Sequence, residues 1–113
     1  MPRYRKKSEN EKQLPLPVQR ALRRLAQDIS SWRKLSGLTQ AQLADRSGIS
    51  RDTMTRLESG TGGVSLETLL RVLRSLGLLD ALGEALDPHR SDIGRLRSDE
   101  ELPRRVRPQK LSV

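Results

Sequence analysis

Between Val18 and Leu35 the apolar residues fall at Val18, Leu22, Leu25, Ile29, Trp32 and Leu35. Steps of three and four gather such positions on one face of a helix. The spacing therefore predicts helix 1 over Val18–Leu35, with Arg20, Arg23, Arg24, Asp28 and Lys34 largely off that face. The preceding Leu14-Pro15-Leu16-Pro17 marks its entry, since a helix's first turn tolerates proline, whose missing N–H has no intrahelical partner there. Gly37 stands where helices commonly end. Two shorter periods follow. Thr39 offers a side-chain oxygen to a free helix N-terminus, and Leu43 and Ala44 give the next run its apolar side, so helix 2 is expected over Thr39–Arg46. Gly48 ends it, Ile49 plugs the turn, and Ser50 opens helix 3 over Ser50–Ser59, where Met54 and Leu57 recur at helical spacing before Gly60. Ser65 begins helix 4, with Ser65-Leu66-Glu67-Thr68 one residue short of a capping motif. Leu66, Leu69, Leu70, Leu73 and Leu76 form its apolar face, Arg71 and Arg74 point away, and Gly77 stops it. Leu78, Leu79, Leu82 and Leu86 set helix 5 over Leu78–Leu86, and Asp87-Pro88 closes the folded region.

The turn between helices 2 and 3 is too short for them to lie side by side, so they cross steeply, as in a helix-turn-helix. The run Leu38-Thr39-Gln40, Leu43-Ala44, Gly48-Ile49-Ser50, Leu57-Glu58-Ser59-Gly60 closely resembles the helix-turn-helix of the Xre family, the lambda repressor/Cro-like proteins. The joint spacing carries the resemblance, which extends over about Val18–Leu86. It implies an all-α fold, a five-helix lambda-repressor-like domain over residues 14–87. It does not cover the two ends: residues 1–13, polar and without hydrophobic periodicity, are expected to be a disordered basic arm, and residues 88–113 a charged tail. Helix 1 is longer than is usual for the family.

A helix fits the major groove of DNA, and base readers belong on the exposed N-terminal half of helix 3. Met54 and Leu57 face the core, which leaves Arg51, Asp52, Thr53, Thr55 and Arg56 outward as candidate base readers. An arginine suits a guanine. Asp52 suits a cytosine amino group, or instead orients Arg51 or Arg56. Gln40 opens helix 2, and the resemblance places it near a phosphate and near the start of helix 3. The free N–H groups at the start of helix 2, beside Thr39, favour a phosphate as well. Ser50, Ser59, Thr61 and Ser65 are further phosphate candidates. The resemblance also implies an ion pair, Arg33 with Glu58, tying helix 1 to the end of helix 3. Leu78 and Leu79 cannot both be fully buried in one small core; with Leu82 they are expected to form a homodimer interface, in the region through which proteins of the resembled family often pair. Trp32 is expected to pack against the helix-turn-helix.

Composition narrows the rest. The 113 residues hold one Trp, one Tyr, no Phe and no Cys, so leucine supplies most of the core and disulfides are excluded. The net charge is +8. Residues 1–13 carry five Lys/Arg against two acids, residues 14–87 ten against eight, and residues 88–113 seven against four. The basic excess thus sits at the ends, where it would attract phosphate without reading sequence. No stretch approaches the ~20 apolar residues of a membrane span, and the basic N-terminus lacks the apolar region of a secretory signal. A cytoplasmic, nucleoid-associated protein is the expectation. With no cysteine and only His89, the usual nucleophile and metal-ligand sets are missing, so neither an enzyme nor a cofactor is expected. Gly60-Thr61-Gly62-Gly63 lacks the strand before it and the Gly-Lys-Ser/Thr after it that a nucleotide loop needs. Ile93, Leu96 and Leu102 are placed to dock one more helical turn, and the chain beyond Pro103 is expected to be disordered. Two functions fit: a dimeric repressor on an inverted repeat of double-stranded DNA, and the antitoxin of a toxin–antitoxin pair of the HipB type, partnering a HipA-like kinase and repressing its own operon.

Overall fold

The computed structural model of the protein describes residues 13–100, which are helical throughout apart from their connections. The expected arm therefore falls almost wholly outside the described residues, as do Leu102 and the chain past Pro103. The helices divide into two compact units, one through Gly77 and one from Leu78 onward. The first holds α1 (Leu16–Leu35), α2 (Gln40–Ser47), α3 (Arg51–Ser59) and α4 (Leu66–Ser75). The second holds α5 (Leu79–Leu86), a 3-10 turn (Pro88–Arg90) and α6 (Asp92–Glu100). The five expected helices are all present, and α6 is a full nine-residue helix where one further turn was expected. No helix among the described residues is long and apolar enough to cross a membrane.

Three connections in the first unit share one solution. Each is a left-handed glycine, an apolar residue and a hydroxyl residue: Gly37-Leu38-Thr39, Gly48-Ile49-Ser50 and Gly63-Val64-Ser65. The glycine reverses the chain at φ near +70 to +77°. At the first two, the glycine N–H and the next N–H return to the last turn: Gly37 to Lys34 O at 2.9 Å and Leu38 to Arg33 O at 3.1 Å, then Gly48 to Asp45 O at 3.2 Å and Ile49 to Ala44 O at 3.0 Å. That closure satisfies carbonyls a helix end leaves free. The apolar residue folds inward, Leu38 buried and Ile49 and Val64 half-buried. The hydroxyl then caps the next helix: Thr39 Oγ1 accepts from Gln42 N–H, Ser50 Oγ from Thr53 N–H and Ser65 Oγ from Thr68 N–H, each at 3.1 Å. At α2 the cap is reciprocal, because Gln42 Oε1 accepts from Thr39 N–H at 2.9 Å. At the first two connections three residues thus end one helix, plug the core and start the next; at the third, Gly60 has already ended α3 and the triplet plugs the core and starts α4.

The core is small. Ala26 and Ile29 come from α1, Leu38 from the first turn, Leu43 and Ala44 from α2, Met54 and Leu57 from α3, Val72 and Leu73 from α4. Helix α2 packs against both α3 and α4, and α1 packs against α3. Two sequence expectations are corrected here. The inward stripe of α1 is Leu22, Ala26, Ile29 and Arg33, one position round from the stripe of large apolar residues. Val18, Leu25 and Leu35 are therefore exposed, and Trp32 is 45% exposed instead of packed. On α4 the buried pair is Val72 and Leu73, whereas Leu66 is exposed. Arg71 does not simply point away: its guanidinium pairs with Glu67 at 3.2 Å and reaches Ser47 O at 3.5 Å. Beside it the buried Ser47 hydroxyl donates to Ser75 Oγ at 2.9 Å, which donates on to Arg71 O at 3.2 Å, tying α2 to α4.

In the second unit Asp87 Oδ1 accepts from His89 N–H at 2.9 Å and Ser91 Oγ from Gly94 N–H at 2.9 Å, capping the 3-10 turn and α6 in succession. Gly94 lies against the Pro88 carbonyl with no room for a Cβ. Arg95 pairs with Asp92 and donates to His89 O at 3.1 Å. No residue of α5 is fully buried.

Gly60 supplies a test of how α1 and α3 meet. Its φ is +75°, and an added Cβ would stand 3.0 Å from the Arg23 Cα of α1. Gly37 has φ +74° and open space around it. Urea unfolding followed by circular dichroism is expected to show a loss of about 1 kcal/mol for Gly37→Ala, the backbone cost alone. Gly60→Ala is expected to lose about 2 kcal/mol more, because helix backbone has to move.

Candidate nucleic-acid interface

Helix α3 exposes one face because its other face is the core. Met54 and Leu57 are buried, so Arg51, Asp52, Thr55 and Arg56 lie outward and Thr53 sits half-buried between. The outward residues do not share one status. Thr53 Oγ1 is 2.9 Å from Ser50 Oγ, and Thr55 Oγ1 donates to Gln40 Oε1 at 3.4 Å. Arg51, Asp52 and Arg56 make no side-chain hydrogen bond or ion pair among the described residues. In particular Asp52 is not paired with Arg51 or Arg56, although Arg56 stands one helical turn away.

What holds this helix is a buried ion pair. Arg33 Nε donates to Glu58 Oε2 at 2.7 Å and Arg33 Nη2 to Glu58 Oε1 at 3.1 Å, a two-pronged contact of matched planar groups. The remaining prong, Nη1, donates to Leu38 O at 2.8 Å, in the turn before α2. Gln40 Nε2 also donates to Glu58 Oε1, at 2.9 Å. The two side chains are only 11% and 6% exposed. One guanidinium and one carboxylate thus join α1, the turn after it, the first residue of α2 and the last turn of α3. Burial pushes the Glu58 carboxyl pKa up. Hydrogen bonds from Arg33 and Gln40, the Arg33 charge and a hydrogen bond from Ser30 outweigh it and leave the group below its ordinary value.

The other residues singled out from the sequence are placed as follows. Gln40 lies against Thr55 and Glu58, the middle and end of α3, and not at its start. Thr39, Ser50 and Ser65 each spend their oxygen on a helix cap. Ser59 Oγ donates to Arg56 O at 2.6 Å and lies 2.9 Å from Thr61 Oγ1, so both hydroxyls close the end of α3. Leu78 and Leu82 are half-buried and Leu79 is 38% exposed. Sequence reasoning missed the bond from Arg33 to Leu38 O and the commitment of Thr55 to Gln40. Neither leaves a periodic signal, since both depend on where long side chains reach across elements. An apolar cavity of about 260 Å³ lies between α1, the end of α3 and α4, lined by Leu22, Leu25, Leu57, Val64, Leu66 and Leu69 among others.

Comparison with known proteins agrees with this geometry. The family described as helix-turn-helix matches residues 29–81, from the buried Ile29 through all of α2, α3 and α4. An uncharacterized HTH-type transcriptional regulator of Methanothermobacter thermautotrophicus is 45% identical over 49 residues, covering 43% of this chain and 71% of that protein. No solved structure matches significantly.

The ion pair generates a pH prediction. A carboxyl whose pKa is lower folded than unfolded stabilises the fold at pH above its unfolded value, and that contribution disappears as pH falls through the folded value. Melting temperature is therefore expected to drop in acid, and the drop is expected to be shallower in Glu58→Gln. At pH 7 the same variant strands a buried guanidinium charge and is expected to lose about 3 kcal/mol. Asp28→Asn, which breaks the exposed Arg24–Asp28 pair, is expected to lose less than about 0.5 kcal/mol.

Proposed function

Because the chain belongs to the helix-turn-helix family of the Cro/C1 type, and is accordingly a DNA-binding transcription regulator and not an enzyme, we propose that it acts as a dimeric repressor. It reads an inverted repeat by placing α3 in the major groove. The observation that carries this reading is the outward face of α3. There Arg51, Asp52 and Arg56 are free of partners among the described residues, on a helix that Arg33 and Glu58 hold against the rest of the fold. Unpaired polar groups on a rigid helix suit base edges, whose donors and acceptors are equally fixed. Thr39 and Gln40, at the start of α2, sit where a helix N-terminus favours a phosphate. Ser50, Ser59 and Thr61 lie at the ends of α3 and would meet backbone while keeping their capping bonds. Leu78, Leu79 and Leu82 form the proposed interface between two copies, and the inverted repeat would have half-sites about one helical turn of DNA apart. A dimer seated on a promoter blocks polymerase without an activating surface.

A second reading keeps the DNA binding and adds a protein partner: an antitoxin of the HipB type, neutralising a HipA-like kinase. Leu86, Ile93 and Leu96 in the second unit favour it, being large, apolar and exposed. Co-purification of a kinase-like protein in stoichiometric amount supports this reading; its absence from the native host leaves the stand-alone repressor.

Two measurements check the proposal. Fluorescence anisotropy on a selected site is expected to show Arg51→Ala weakening specific binding roughly 10-fold or more while leaving non-specific binding nearly unchanged. Light scattering after gel filtration is expected to give a dimer for the native chain and a monomer for Leu79→Lys, with cooperative binding to the paired half-sites lost in the variant.

A further inference from the structure

The free groups on α3 differ in what they can bind, and that difference specifies DNA composition. Arginine only donates hydrogen bonds, and a carboxylate only accepts them. Among major-groove edges, guanine offers two acceptors side by side, O6 and N7, which match a guanidinium. A carboxylate needs an amino group. Cytosine N4 supplies one with an acceptor on one side only, the paired guanine O6, its own base adding just a C5–H, whereas adenine N6 stands between its own N7 and the paired thymine O4, lone pairs that repel the second carboxylate oxygen. Guanine and thymine present carbonyl oxygens and repel it outright. The threonines, which would accept other bases, have their hydroxyls held by Ser50 and Gln40. Asp52 also has no cation of its own chain to neutralise it among the described residues. A lone carboxylate facing phosphates is repelled by them; its place in the first turn of α3 offsets part of that repulsion, and a base donor offsets more.

Building on the base-reading role proposed for α3, we infer that the operator half-site is centred on G·C pairs. Arg51 takes a guanine, and Asp52 is the discriminating residue, selecting a cytosine at an adjacent position through its N4 amino group. Arg56, four residues further on, lies about 6 Å along the helix from Asp52. That is on the order of two base-pair steps, so a second guanine is expected about two pairs away.

The test is selection of bound duplexes from a random pool by the full chain, repeated with Asp52→Asn. Asparagine both donates and accepts, the pairing suited to adenine N6 and N7. The native chain is expected to enrich half-sites with a G·C core. The variant is expected to enrich adenine in place of cytosine at one position, with the rest unchanged and a preference reversed by roughly 10-fold. Cooperative melting of the variant, within the small drop expected for losing a first-turn carboxylate, establishes that it is folded. An A·T-rich core for the native chain, or the same cytosine preference in both proteins, overturns the inference and leaves the base-reading role standing. No enriched sequence from the native chain overturns both.

Discussion

A guanidinium cannot be taken out of water cheaply unless each of its donors finds an acceptor. Arg33 meets that demand with one carboxylate and one backbone carbonyl, and the first unit is arranged around the requirement. Glu58 has to stand at the end of α3, Leu38 O has to point back from the turn, and Gln40 has to lie close enough to fill the last position on Glu58. The apolar core alone would allow α3 some freedom to slide, because Met54 and Leu57 offer contact without direction. The ion pair removes that freedom. It contributes orientation more than net stability, which is the better-founded use of a buried charge pair.

The connections work by a different economy. A chain of short helices exposes many free N–H and C=O groups relative to its length. The triplets at Gly37, Gly48 and Gly63 satisfy much of that demand locally, so the helices need little apolar surface to be held in place. This fits a core that, among the described residues, contains no aromatic side chain and whose largest fully buried members are Ile29, Leu43, Met54 and Val72.

Legibility in the sequence followed the range of each signal. Helix ends were readable because caps are local: a serine or threonine before a helix and a glycine after one act within three or four residues. The all-α class and the order of the five helices followed from them. The rotation of α1 was not readable. A count of large apolar residues chose the stripe through Leu25, Trp32 and Leu35, yet the packed stripe passes through a small residue, Ala26, and a charged one, Arg33. Ala26 is inward because α1 approaches α3 closely at Gly60, and Arg33 because its partner lies 25 positions away, a pairing that the family resemblance supplied and hydrophobic periodicity did not. Both reasons are tertiary. At the interface, residue types on α3 were visible in the sequence, but which of them were already occupied was not. That depended on Ser50 and Gln40 reaching Thr53 and Thr55.

The close passage of α1 over Gly60 has an evolutionary consequence. Backbone meets backbone there, so the angle at which α3 is carried does not depend on the side chains it displays. The residues that fix the helix, Arg33, Leu38, Glu58 and Gly60, are separate from those it presents, Arg51, Asp52 and Arg56. A lineage descended from this protein is therefore free to change the residues on that outward face one at a time without first surviving a loss of folding. Duplicated copies would diverge on this surface long before they diverged in shape.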